Sequence, residues 1–125
     1  MYITTSGATE IDLTFDDATA LGPILFIAVN GSVDIDWGDG TEHATKTGSS
    51  LTTLVFHGHK YAAIGSYTIK ITVTSGSMAF RGESLIDGIF RCHAVTEARS
   101  KNYLYSRTIT AIRLGNNTDI GPYAF

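Results

Sequence analysis

A chain of 125 residues, 43% of them hydrophobic and with a formal charge of −3, suits one domain with some length to spare and is too apolar for disorder. Its 9 Lys and Arg residues are scattered, which excludes the basic footprint of a nucleic-acid binder. Its single cysteine, Cys92, excludes an internal disulfide and reads as a small buried hydrophobe.

In chain order, Ile11, Leu13 and Phe15 alternate with Asp12, Thr14 and Asp16, which predicts a strand with one wet face. After Gly22-Pro23, residues 24–29 are apolar throughout and partly β-branched, the pattern of a strand buried on both faces. Asn30-Gly31 then predicts a hairpin, because both central positions of a type I′ turn favour positive φ. From Ser32 to Trp37 the alternation points Val33, Ile35 and Trp37 inward and Asp34 and Asp36 outward. Residues 38–50 are polar and turn-rich, giving a hairpin or a short edge strand around 42–46, and 51–56 form a further strand. Tyr67 to Thr74 alternates most cleanly, with Tyr67, Ile69, Ile71 and Val73 on one face. Short strands at this spacing predict an all-β, antiparallel sandwich. Beyond Ser75-Gly76-Ser77 the pattern changes. Leu85, Ile86, Ile89, Phe90 and His93 fall near one helical stripe within 83–99, interrupted by Gly88, with Gly82 just before it. Residues 95–99 are echoed faintly by 109–113, which suggests a repeat.

Two motifs sharpen this reading. Trp37-Gly38-Asp39-Gly40, followed by His59, Tyr61, Gly65, Tyr67, Ile69 and Ile71 in register, resembles the polycystic-kidney-disease-type (PKD) domain. The resemblance covers residues from about 8 to 75, although two residues of the family's usual turn are missing. It implies an immunoglobulin-like β-sandwich, of a kind common in microbial surface and secreted proteins. Ile109 to Leu114, followed by Asp119-Ile120-Gly121-Pro122-Tyr123-Ala124-Phe125, resembles the opening of a leucine-rich repeat of bacterial surface proteins. The implied division is a PKD-like sandwich over 1–78 and a C-terminal extension over 79–125. A solenoid needs about three stacked repeats, so residues 103–125 are expected either to pack back onto the sandwich or to leave an apolar edge for another copy.

The candidate sites have simpler readings beside them. Asp34, Asp36, Asp39 and Glu42 offer oxygen ligands for calcium, yet alternation explains the first two and turn chemistry the third. His43, His57 and His59 are a potential zinc trio, but the PKD resemblance assigns His59 to the corner beside Tyr61. No nucleophile elbow, H-E-x-x-H or P-loop spacing occurs, and Cys92-His93 would point to opposite faces of a strand, so an enzyme is not expected. Tyr67 reads as core. Tyr103 and Tyr105 are either an exposed ligand-contact pair or part of a strand packed on the sandwich.

The expectation is therefore a non-catalytic adhesion or spacer module of a bacterial cell-surface or secreted protein, contacting protein or glycan and carrying no cofactor. A carbohydrate-binding module and a phage virion decoration protein are the alternatives. Membrane insertion is not expected, since the longest apolar stretch, 23–29, is far short of the roughly 20 residues of a span. Met1 to Thr5 lacks the basic start and apolar run of a signal peptide, so the expectation is either an intracellular product or a fragment whose secretion signal lies elsewhere.

Overall fold

The computed structural model describes residues 2–3, 7–18, 21–80, 90–91 and 109–120. These form β1 (Tyr2–Ile3), β2 (Thr9–Phe15), β3 (Ile24–Asp36), β4 (Ala44–Gly58), β5 (Gly65–Phe80), β6 (Phe90–Arg91), β7 (Ile109–Leu114) and β8 (Thr118–Ile120). The strands make one sheet in the order β1-β7-β2-β5-β3-β4, with β6 on β3 and β8 on β5. Pairing is antiparallel except between β1 and β7 and between β5 and β8. The protein is thus all-β, with no helix among the described residues.

Period-two alternation places Ile11, Leu13 and Phe15 of β2, Leu25, Ile27, Val29, Val33 and Ile35 of β3, and Ile69 and Ile71 of β5 in one apolar core. Leu21, Trp37, Tyr61, Met78, Phe80 and Ile112 complete it. Facing positions pair across the ladder, Ile35 with Ile71, Val33 with Val73, Val29 with Met78 and Ile27 with Phe80. The inward residues of β5 thereby change from odd to even numbers. The cause is a bulge: Ser32 pairs with Ser75 but Val33 with Val73, leaving Thr74 extra. The strand expected to stop at Thr74 continues past the bulge to Phe80, because its last residues pair with Ile27 to Ser32 of β3.

The hairpin expected at Asn30-Gly31 does not form; β3 runs straight through it. Gly31 instead lies between Gly48 of β4 and Gly76 of β5 in register, a row of three glycines across three strands. A Cβ on Gly31 would stand 2.1 Å from the Ser75 carbonyl oxygen, and one on Gly76 would stand 1.8 Å from that of Asn30. The backbones approach too closely for any side chain, and this contact takes the place of the turn. Bulges flank the row, at Thr74 and at residues 51–53 between the Ser50 and Leu54 pairings. Glycines and bulges together mark where the long strands bend. The hairpin or short edge strand expected around 42–46 and the strand expected over 51–56 are accordingly one strand, β4, continuous through its bulge.

The C-terminal strands are built into the same sheet. β7 pairs with β2, and β8 pairs with the last residues of β5. Residues 109–120 therefore pack onto the preceding strands, which is the first of the two arrangements expected for the tail. The helical stripe expected over 83–99 lies outside the described residues except at Phe90–Arg91, which are a strand. They pair with Ile24 and Leu25 at the edge of β3, just beyond the point where Phe80 pairs with Ile27. Backbone groups of Phe90 and Arg91 are satisfied by ladder bonds on that edge.

Candidate functional site

The corner after β3 begins with the outward Asp36, whose Oδ1 accepts the Gly38 N–H at 2.9 Å. That bond turns the chain. Gly38 has φ +79, and a Cβ there would stand 2.2 Å from the Thr68 carbonyl oxygen, so the corner folds tightly against β5. Asp39 then points back: its Oδ1 accepts the Thr41 N–H at 3.2 Å and the Thr41 hydroxyl at 2.5 Å. Its Oδ2 lies 2.7 Å from His59 Nε2. Burial pushes the Asp39 carboxyl up, but the Thr41 hydroxyl, the His59 imidazole and the Thr41 amide outweigh it and hold the group below the usual carboxylate range.

His59 is positioned by extension of the β3–β4 ladder: its N–H donates to the Pro23 carbonyl at 3.2 Å, and that of Tyr61 to the Leu21 carbonyl at 2.8 Å. Its ring stacks on Trp37, centroids 4.6 Å apart and planes within 4°. Tyr61 meets His59 edge-on at 4.8 Å, and Tyr61 also packs against Tyr67 at 4.4 Å and Phe15 at 5.0 Å. The fully buried Tyr61 hydroxyl donates to the Trp37 carbonyl at 2.8 Å, and burial pushes its phenol well above the usual value. Tyr67 is half-buried, its hydroxyl donating to the Ala63 carbonyl at 2.8 Å. Gly65 opens β5 opposite Phe15, and Gly40 sits exposed at the tip of the turn. Of the residues that carry the PKD resemblance, Trp37, Asp39, His59, Tyr61 and Tyr67 are thus joined by ring contacts and hydrogen bonds.

The outward face of the sheet holds a second constellation. In register across four strands stand Asp36, Lys70, Glu10 and Arg113, alternating in sign. Arg113 Nε donates to Glu10 Oε1 at 2.7 Å, while its two terminal nitrogens reach Asp12 Oδ2 and Oδ1 at 2.6 and 2.5 Å. Thr68 adds a hydroxyl bond to Asp12 Oδ1 at 2.9 Å. The Arg113 guanidinium holds the Asp12 carboxyl below its ordinary value, against a smaller opposing effect of burial. Beside this cluster runs an open groove of about 580 Å³. Its floor carries Asp12 and Thr14 of β2 and Ser66, Thr68 and Lys70 of β5, with Thr110 along one side and Asp36 and Gly38 along the other.

The carboxylates weighed for calcium do not converge. Asp34 and Asp36 face outward with His43 between them, its Nδ1 2.9 Å from Asp34 and its Nε2 3.4 Å from Asp36, while Asp39 turns toward His59 and Glu42 is exposed. The proposed zinc trio is likewise divided, with His43 on the outer face and His59 against Trp37. The His57 side chain lies outside the described residues. No group of three or more His, Cys, Asp or Glu side chains converges to hold a metal ion among the described residues. Tyr103, Tyr105 and Cys92-His93 also lie outside them. Sequence reasoning missed the groove and the four-strand charge row. Alternation showed that Asp12, Asp36 and Lys70 face outward, but only strand order and register bring them beside Glu10 and Arg113. Compared with known proteins, this chain matches no family model, no curated protein and no solved structure.

Proposed function

We propose that this chain is a non-catalytic contact module, a PKD-like immunoglobulin sandwich that acts as an adhesion or spacer element at a bacterial cell surface. The observation that carries the reading is the open polar groove on the outward face of the sheet, lined by side chains from β2, β3, β5 and β7. Three of these strands contribute their opposite faces to the core, and Ile112 of β7 joins them there, so the groove rests on a rigid platform suited to reversible contact. The cluster around Trp37, which carries the family resemblance, supports the sandwich assignment, and its acid–base groups serve one another.

The test is binding of the purified 125-residue chain to a glycan array and to immobilised extracellular-matrix proteins. Saturable binding in either format is expected. Absence of binding in both, or turnover in a panel of ester, peptide and glycoside substrates, would overturn the reading.

A further inference from the structure

The geometry points to a neutral pyranose as the ligand of the groove bounded by Thr110 and Gly38, held by Lys70, Asp36 and the Thr14–Ser66 hydroxyl pair. This inference rests on the contact-module reading and specifies its site and ligand chemistry.

The shape comes from the fold itself. β2 and β5 form the floor, and the corner at Asp36 and Gly38 rises beside it because Gly38 can close onto the Thr68 backbone. The volume of about 580 Å³ lies within the roughly 300 to 1,000 Å³ typical of small-molecule sites.

The lining groups with bonding capacity left over define the ligand. Asp12 is saturated by Arg113 and Thr68, so it contributes shape and no free acceptor. The Lys70 ammonium makes no ion pair or hydrogen bond with any described residue, leaving three N–H donors for a ligand. Thr14 and Ser66 share one hydrogen bond at 3.1 Å. Each pair of hydroxyls so joined keeps one donor and further acceptor lone pairs. Asp36 uses Oδ1 on Gly38, and its Oδ2 remains an acceptor with only the longer 3.4 Å approach of His43. A ligand that both donates and accepts at several adjacent positions matches this set, as the hydroxyls of a sugar ring do.

Charge selects among sugars. In the ladder Lys70 stands opposite Asp36 on one side and Glu10 on the other. An anionic sugar drawn to Lys70 would meet the Asp36 carboxylate across the groove, and like charges at such spacing are unfavourable. A cationic ligand would meet the Lys70 ammonium. A neutral ring avoids both penalties.

Amide chemical shifts of the full chain, titrated with methyl glucoside, galactoside, mannoside and N-acetylglucosaminide and separately with methyl glucuronide, test the inference. The expected result is saturable movement of amides at 12–14, 66–70 and 110 with at least one neutral pyranoside. Lys70→Ala and Ser66→Ala, both at exposed positions, should each weaken that binding by about tenfold while leaving the melting temperature unchanged. Shifts that map elsewhere, binding of the glucuronide alone, or no response to any pyranoside would overturn it. If the parent chain binds a matrix protein or an array glycan and both variants bind it equally well, the groove assignment fails and the contact-module reading stands. If the parent chain binds nothing in any format, both fail.

Discussion

Trp37 shows how one side chain joins two kinds of order. Its indole is buried in the core and stacks on His59, while its carbonyl receives the Tyr61 hydroxyl. Trp37→Ala is expected to cost about 3 to 5 kcal/mol, a large fraction of a typical domain's stability. Chemical denaturation measures it, and a variant that unfolds at nearly the parent's midpoint would refute the keystone role. Asp39 and Asp12 make a second prediction. Both carboxyls titrate below their ordinary values in the fold, so the unfolded chain binds their protons more readily. The stability they contribute is complete above the unfolded value and is lost as pH falls through the folded values, from about pH 5 downward. Melting temperature followed by circular dichroism should decline across that window. Asp12→Asn should lower stability at neutral pH and flatten the decline.

Among the elements, β3 and β5 depend on the glycine row. Gly76→Ala would drive a methyl group to 1.8 Å from the Asn30 carbonyl oxygen, and strain plus displaced backbone should cost about 2 to 4 kcal/mol. Gly40 provides the control, since it has φ +81 but no atom within 4 Å of an added Cβ. Gly40→Ala should cost only about 1 kcal/mol, and equal losses at the two sites would show that close approach is not what requires Gly76. β7 depends on a different kind of bond. Arg113 clamps it to Glu10 and Asp12 of β2 in a partly buried setting. Arg113→Ala should destabilise the protein by about 2 kcal/mol and speed hydrogen exchange at 109–114. Arg113→Lys should recover little, because an ammonium cannot make the forked contact.

At the scale of the whole molecule, the sheet is held together by residues far apart in sequence. Thr9 is fully buried, and its hydroxyl donates to Thr118 and accepts the Gly115 N–H, both at 2.9 Å. Ile112 enters the core, and β8 lies against Met78, Ala79 and Phe80. A chain shortened to residues 1–78 would strip the Thr9 hydroxyl of both partners and uncover the outer edge of β2. It is expected to lose cooperative unfolding, as read by calorimetry and tryptophan fluorescence together. A sharp, parent-like transition for 1–78 would instead show that this region folds without residues 79–125.

The strand faces could be read from the sequence because alternation is a local property: Ile11, Val33, Ile35, Ile69 and Ile71 announce their inward side within a few residues. The corner at Trp37 was equally legible, since Asp36 and Asp39 bond to backbone groups two positions away. Local signals misled where a distant strand set the terms. Asn30-Gly31 carries the pattern of a turn, but Gly76 and Gly48 approaching from both sides make it the middle of a strand. The bulge at Thr74 reverses the inward parity, so no fixed period extends to Phe80. The sequence by itself determined the β class, the inward faces and the corner. Register across strands, and with it the charge row and the groove, was decided only by the tertiary structure, because pairing joins residues whose spacing along the chain leaves no periodic trace.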